Sequence, residues 1–76
     1  MDDEDIRAQV ARLVDTEHQL RSGPIDHETR EQLSRLEEQL DQCWDLLRQR
    51  QAKREYGLAP DDAKVRPAGE VEGYLQ

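Results

Sequence analysis

Hydrophobic residues recur every three or four positions along the middle of the chain, and polar residues fill the positions between them. Steps of three and four residues place side chains on one face of an α-helix. The pattern therefore predicts an amphipathic helix over residues 27–55 that needs a partner for its apolar face. Its stripe consists of Leu33, Leu36, Leu40, Cys43, Trp44 and Leu47.

A shorter stretch with the same period precedes it and predicts a first helix over residues 3–21. Asp2 or Asp3 can cap its start, where carboxylates interact favourably with the helix dipole. The apolar positions of this helix are Ile6, Val10, Leu13, Val14 and Leu20.

A loop over residues 22–26 separates the two predicted helices. Gly23 suits the left-handed conformation just past a helix end, and Asp26 can cap the second helix. A connection this short makes the helices antiparallel neighbours, so we expect a helical hairpin. If the two helices pair from the loop outward, the far end of the first helix should lie beside Trp44 and Leu47 of the second, and the second helix should extend beyond it.

The remaining residues, 57–76, contain several Pro and Gly residues, and we expect a mostly irregular, partly ordered C-terminal tail. The tail nevertheless contains large apolar side chains, which suggests that it docks on the hairpin or on another chain. These side chains are Val65, Val71, Tyr74 and Leu75.

Seventy-six residues form one small domain with a marginal core, and a single cysteine cannot form an internal disulfide. A second chain is then the expected source of stability. Leu46 points the same way, because it lies off the main stripe where one partner helix would not cover it. We expect an all-α fold in which two hairpins dimerise through the long helix into a four-helix, coiled-coil-like bundle. The predicted interface residues are Leu36, Leu40, Cys43, Trp44, Leu47, Tyr74 and Leu75.

The net charge of -7 argues against binding to nucleic acid or to an anionic membrane, since both need clustered basic residues. No apolar run approaches the roughly 18 residues of a membrane span, and the acidic start lacks signal-peptide features. A cytoplasmic location is expected. The basic segment over residues 48–54 should pair with the acidic N-terminus of a neighbouring chain, or simply end the helix.

Chemistry-bearing residues are scattered along the chain. His18, His27 and Cys43 are the only soft metal ligands, and they lie too far apart along the helices to share one ion. The carboxylates of residues 37, 38, 41 and 45 should face solvent, opposite the leucine stripe. We therefore expect no catalytic residue, cofactor or metal site, and not an enzyme.

Two segments of the chain are similar to a known family. Residues 37–50, EEQLDQCWDLLRQR, and residues 71–76, VEGYLQ, resemble a family of short actinobacterial proteins known as a domain of unknown function. The resemblance covers nearly the whole chain and implies a cytoplasmic bacterial helical protein. It also implies that Cys43, Trp44 and the segment around Tyr74 form one packing unit joining helix and tail. No activity or site comes with it.

Two functions fit these observations. The first is a non-enzymatic, homo-oligomeric structural or protein-interaction module. The alternative is an acidic regulator that binds and masks a basic partner, such as a nucleic-acid-binding protein, through the N-terminal carboxylates or the tail. The orientation of the paired long helices, and docking of the tail within or between chains, stay open at this stage.

Overall fold

A computed structural model of the protein describes residues 2–75, with side-chain surroundings for residues 2–73. Within that part the chain is helical and contains no strand, so the predicted all-α class is confirmed. The elements in chain order are helix α1 (Asp3–Arg21), helix α2 (His27–Glu55), a 3₁₀ turn (Pro60–Asp62) and helix α3 (Ala68–Leu75).

The starts of α1 and α2 are fixed by aspartate caps. In α1, the Asp5 backbone N–H donates to Asp2 Oδ1 at 2.8 Å, and the Asp2 N–H donates to Asp5 Oδ2 at 3.2 Å. In α2, Asp26 Oδ1 accepts from the Thr29 N–H at 2.8 Å, which confirms the predicted cap. These bonds satisfy N–H groups that a helix start leaves without partners, and they hold the pKa of Asp2 and Asp26 below the ordinary value.

The end of α1 differs from the expectation for Gly23. Ser22 completes the last turn in a right-handed conformation, with its backbone N–H donating to the carbonyls of His18 and Gln19. The left-handed residue is Gly57, just after α2, with a φ of 72°. The prediction that Gly23 adopts this conformation was wrong, because Ser22 already caps the helix with its own backbone and hydroxyl groups.

Helix α2 is the central element of the fold. It contacts α1, the 3₁₀ turn and α3, whereas α1 and α3 do not contact each other among the residues described. The buried cluster between α1 and α2 contains Ile6, Val10, Cys43 and Leu46.

The two long helices lie against each other further along α2 than the sequence suggested. Arg21, at the end of α1, reaches Glu37 with an Nη2 to Oε1 distance of 3.3 Å, and Asp3, at its start, contacts Arg50. The first residues of α1 thus lie beside Trp44 and Leu47, as predicted, but they extend about one turn further along α2, to Arg50 and Arg54. The first turn of α2, residues 27–30, contains no buried side chain.

The tail folds back onto α2 of the same chain and is more regular than predicted. Over Ala68–Leu75 it forms α3, which corrects the expectation of a mostly irregular segment. Pro67 stands just before this helix, where its missing N–H costs no hydrogen bond, and its carbonyl accepts from Glu70 and Val71. Val71 is only 1% exposed, so burial of this side chain outweighs the weak helix propensity of the glycines nearby.

Candidate interaction surface

Trp44 lies in the middle of α2 with 51% of its surface exposed. Its indole lines a groove of about 290 Å³ between the start of α1 and the second half of α2. An indole combines a large apolar surface with one N–H donor, and such side chains are enriched at protein interfaces. The other residues that line the groove are Asp3, Arg7, Leu47, Arg48, Gln51 and Arg54.

The predicted interface residues are divided between the core and the surface. Leu36 and Cys43 are buried within the chain. Leu40 and Leu47 are half-buried and pack against the core cluster. Trp44 is the most exposed of the five whose side chains the structure describes. The remaining two, Tyr74 and Leu75, have side chains outside the described part of the structure.

The exposure of Trp44 follows from the positions of its neighbours. Successive residues of an α-helix are about 100° apart, so residues 43 to 46 point in four directions. Cys43 and Leu46 belong to the cluster with α1, and Asp45 contacts the tail. Trp44 is left between these covered sides. Leu46 is 6% exposed, so the expectation that it needs a second chain was wrong: α1 covers it.

Arg50 forms a buried ionic junction near the end of α2. It is 7% exposed; its Nε donates to Asp3 Oδ1 at 2.6 Å, and its Nη1 donates to Asp61 Oδ1 at 3.0 Å. Arg54 adds a bond from Nη2 to Asp3 Oδ2 at 2.7 Å. The hydrogen bonds from Arg54 and Arg50 lower the pKa of Asp3 to about 2. Part of the basic segment thus pairs with the acidic N-terminus of its own chain. This corrects the expectation that it pairs with the N-terminus of a neighbouring chain.

The surroundings of Asp45 also differ from those predicted from the sequence. It was expected to face solvent, but it is 3% exposed. Its carboxylate accepts from Arg66 Nε at 2.9 Å, from Arg66 Nη2, and from Gln49 Nε2 at 2.9 Å. Hydrogen bonding to the Arg66 guanidinium lowers the pKa of Asp45. In the sequence, the one signal for this pair is that residues 45 and 66 have opposite charges. Helical periodicity cannot reveal a contact between residues of two different elements.

Two glutamines of α2 hold the backbone of the tail next to this pair. Gln42 Nε2 donates to the Arg66 carbonyl at 3.1 Å, and Gln49 Nε2 donates to the Lys64 carbonyl at 2.8 Å. With Asp45 they are spaced by three and four residues, so they share one side of α2. That side is occupied by the chain's own tail.

An acidic surface lies where α3 meets the first half of α2. Hydrogen bonding with Asp41 raises the pKa of Glu72, and the charges of Glu38 and Glu37 add to the effect. Like charges that crowd together favour the protonated form of one of them. This region therefore has a negative local potential.

Burial raises the pKa of the Cys43 thiol, which makes it a poor nucleophile. His27 Nε2 lies 3.0 Å from Glu31 Oε1 on the surface. Between residues 2 and 75 no three His, Cys, Asp or Glu side chains are grouped so that they could hold a metal ion. The helices in this range are too polar or too short to cross a membrane.

The fold and this surface define a small all-helical protein with an exposed tryptophan groove and a docked C-terminal helix. The chain belongs to the family described as protein of unknown function (DUF2630), whose family model matches residues 2–76. It is 54% identical over 70 residues to an uncharacterised protein of Mycobacterium bovis and to uncharacterised proteins of two Mycobacterium tuberculosis strains. The alignment covers 91% of this chain and 80% of each relative. No solved structure matches the chain. The family resemblance in the sequence is thereby confirmed.

Proposed function

We propose that the protein is a non-enzymatic protein-interaction module of the cytoplasm that works as a homodimer. In this proposal α1 and α2 form a helical hairpin, and two hairpins pack through α2 into a four-helix, coiled-coil-like bundle. The observation that carries the proposal is the exposure of Trp44 in the middle of the central helix. Covering the open half of an indole, on the order of 100 Å², would contribute roughly 2 kcal/mol per copy.

Other exposed apolar residues support the choice of Trp44 by contrast. Ile25, Tyr56, Leu58 and Val65 are also open, but they lie in loops or beyond the end of α2. Single exposed apolar residues are normal on protein surfaces. Trp44 differs because it shares a groove with Leu47 on a long regular helix, which is a surface that a second helix can cover.

Sedimentation equilibrium of the wild type, Trp44→Ala and Tyr56→Ala tests the proposal. Tyr56 is a matched control, since it is an aromatic residue with 81% exposure outside the groove. We expect a wild-type dimer at micromolar concentration, at least about tenfold weaker dimerisation for Trp44→Ala, and no change for Tyr56→Ala. Circular dichroism would verify that the variants keep their helices. A wild type that stays monomeric at all accessible concentrations would contradict the proposal.

The acidic surface favours a second candidate function, the masking of a basic partner protein. Glu38, Asp41 and Glu72 form this surface together with Glu37, which makes an exposed pair with Arg21; Asp3 of the N-terminal cluster is held by two arginines of its own chain. Binding of a lysine-rich peptide at low and high salt separates the candidates. An electrostatic complex weakens sharply as salt rises, and a dimer centred on Trp44 changes much less.

A further inference from the structure

One face of α2 contains two rows of residues with seven-residue spacing. A spacing of seven runs almost straight along a helix, so each row is a line of neighbouring side chains. Every member is exposed except Asp41, which is half-buried. We call these two rows the open face; the first row is Arg30, Glu37, Trp44 and Gln51, and the second is Ser34, Asp41, Arg48 and Glu55.

The open face lies between the two sides of α2 that the tail and α1 cover, and at its edges Glu37 pairs with Arg21 of α1 and Asp41 contacts Glu72 of α3. The tail occupies the side of α2 with Gln42, Asp45 and Gln49, and α1 occupies the side with Cys43 and Leu46. The open face therefore contains the groove tryptophan and none of the residues of the buried cluster between α1 and α2.

Charge is unevenly distributed along the helix as well as around it. Residues 27–41 contain five carboxylates and two arginines, whereas residues 42–55 contain two carboxylates and four basic side chains. The first half of α2 is therefore acidic, and the second half has more basic than acidic side chains, although its Arg50 and Arg54 pair with Asp3 of the same chain. Two such helices attract each other when they run in opposite directions and repel each other when they run in parallel.

The individual charged residues of the open face also favour the antiparallel orientation. In one antiparallel register, Arg30 faces Glu55 and Glu37 faces Arg48, and symmetry makes each pair occur twice. In a parallel pair each of these residues would face its own copy, so every charge would meet the same charge. In a dimer with two-fold symmetry, whose parallel form must be in register, the face complements itself in the antiparallel orientation alone.

We propose that α2 packs antiparallel against α2 of a second copy, with the two-fold axis between Asp41 and Trp44, so that the Glu37 and Arg48 side chains of opposite copies pair. This inference rests on the proposed homodimer and adds the orientation and register of its helices.

Polar details of the same register support it. The indole N–H of Trp44 would meet Asp41 of the second copy, and a carboxylate is a suitable acceptor for an indole donor. Basic side chains of the second copy would approach the region where Glu72 and Asp41 crowd each other. Glu37 is held within the chain by an exposed pair with Arg21, and pairs of this kind contribute little and exchange easily.

Disulfide cross-linking tests the orientation. In a Cys43→Ala background, Glu37→Cys and Arg48→Cys would be oxidised separately and as a mixture. We expect the mixture to give a cross-linked dimer of the two different variants, in at least about tenfold excess over either variant with itself. Efficient cross-linking of each variant with itself would overturn the antiparallel register, as would a mixture that sediments as a dimer without cross-linking. If the wild type does not dimerise in sedimentation, the proposed function itself fails.

Charge reversal provides a second test that keeps Cys43. Glu37→Arg and Arg48→Glu should each weaken dimerisation about tenfold at low salt, and the double variant should restore most of the loss. In a parallel dimer the double variant would still place like charges opposite each other. A double variant that dimerises no better than either single variant would overturn the register.

Discussion

The carboxylate of Asp45, buried in the middle of α2, accepts two hydrogen bonds from the guanidinium of Arg66. Each side chain comes from a different part of the fold, so the pair fastens the tail to the central helix. The contact also decides which side of α2 is covered by the chain itself. Trp44, the residue next to Asp45, remains on the uncovered side, where we place the second copy.

Replacing Asp45 with Asn should release the tail. The asparagine side chain has nearly the same shape as aspartate but no negative charge. Its NH₂ group would also face the N–H groups of Arg66, and two donors cannot form a hydrogen bond. We expect a loss of about 1 to 3 kcal/mol in the free energy of unfolding, measured with urea at one fixed protein concentration. Asp15→Asn makes the same chemical change at an exposed position of α1 and should have little effect. Equal losses for the two variants would rule out a special role for Asp45.

The protein should lose stability in acid through Asp3 and Asp45. Arginine partners lower the pKa of both groups, in Asp3 to about 2, whereas the unfolded value is 3.8. A lowered pKa in the folded state adds stability that is complete above the unfolded pKa and is lost as the pH falls toward the folded pKa. We therefore expect the urea midpoint to decrease between about pH 4 and pH 2. A midpoint that stays constant over this range would show that these ion pairs contribute nothing.

Glu72 should have the opposite pH dependence. Its pKa is raised by Asp41, so the folded chain binds this proton more tightly than the unfolded chain does, and docking of α3 strengthens as the pH falls through that pKa. Removing the charge with Glu72→Gln should therefore increase amide hydrogen-exchange protection in residues 68–73 at pH 7. Glu70→Gln serves as a control in the same helix. Glu70 lies 3.7 Å from Arg66, so removing the Glu70 charge should not increase hydrogen-exchange protection. Lower protection in Glu72→Gln would contradict the expected crowding.

Ile6 should contribute far more to stability than Ile25. The first is 1% exposed in the core cluster, and the second is 43% exposed in the loop between α1 and α2. Ile6→Ala should cost about 2 to 5 kcal/mol of unfolding free energy, because it removes buried methyl groups and leaves a cavity. Ile25→Ala should cost much less in the same urea titration. Similar costs would mean that α1 does not pack against α2 through Ile6.

The helical pattern of the sequence predicted much of the apolar core. Ile6, Val10, Leu33, Leu36 and Cys43 all lie on the expected stripes and are all buried. Spacing along the chain is sufficient for such residues, because a helix places every third or fourth side chain on one face.

The polar contacts could not be predicted in the same way. Arg50 and Asp3 are 47 residues apart, and Asp45 and Arg66 are 21 residues apart. No local period links such pairs, and an exposed carboxylate has the same sequence signature as a buried one. Helix α3 was missed for a related reason: the burial of Val71 against the rest of the fold overrides the local preference of Gly and Pro for irregular structure.

The exposure of Trp44 was partly foreseeable. The sequence placed it on the apolar stripe of the long helix and among the residues predicted to form an interface with a second chain. Its actual surroundings depend on the tail, whose docking side on α2 was not apparent from the sequence. The groove with Leu47 and the starting residues of α1 is therefore a property of the folded chain.

Trp44 fluorescence during dilution tests the central claim most directly. The chain contains a single tryptophan, so its emission reports on this position alone. If a second copy covers the indole, the emission maximum should move to longer wavelength on dilution, with a midpoint at the concentration where sedimentation shows the dimer dissociating. An emission maximum that stays at the same long wavelength from high to low concentration would contradict the claim that Trp44 is the centre of a dimer interface.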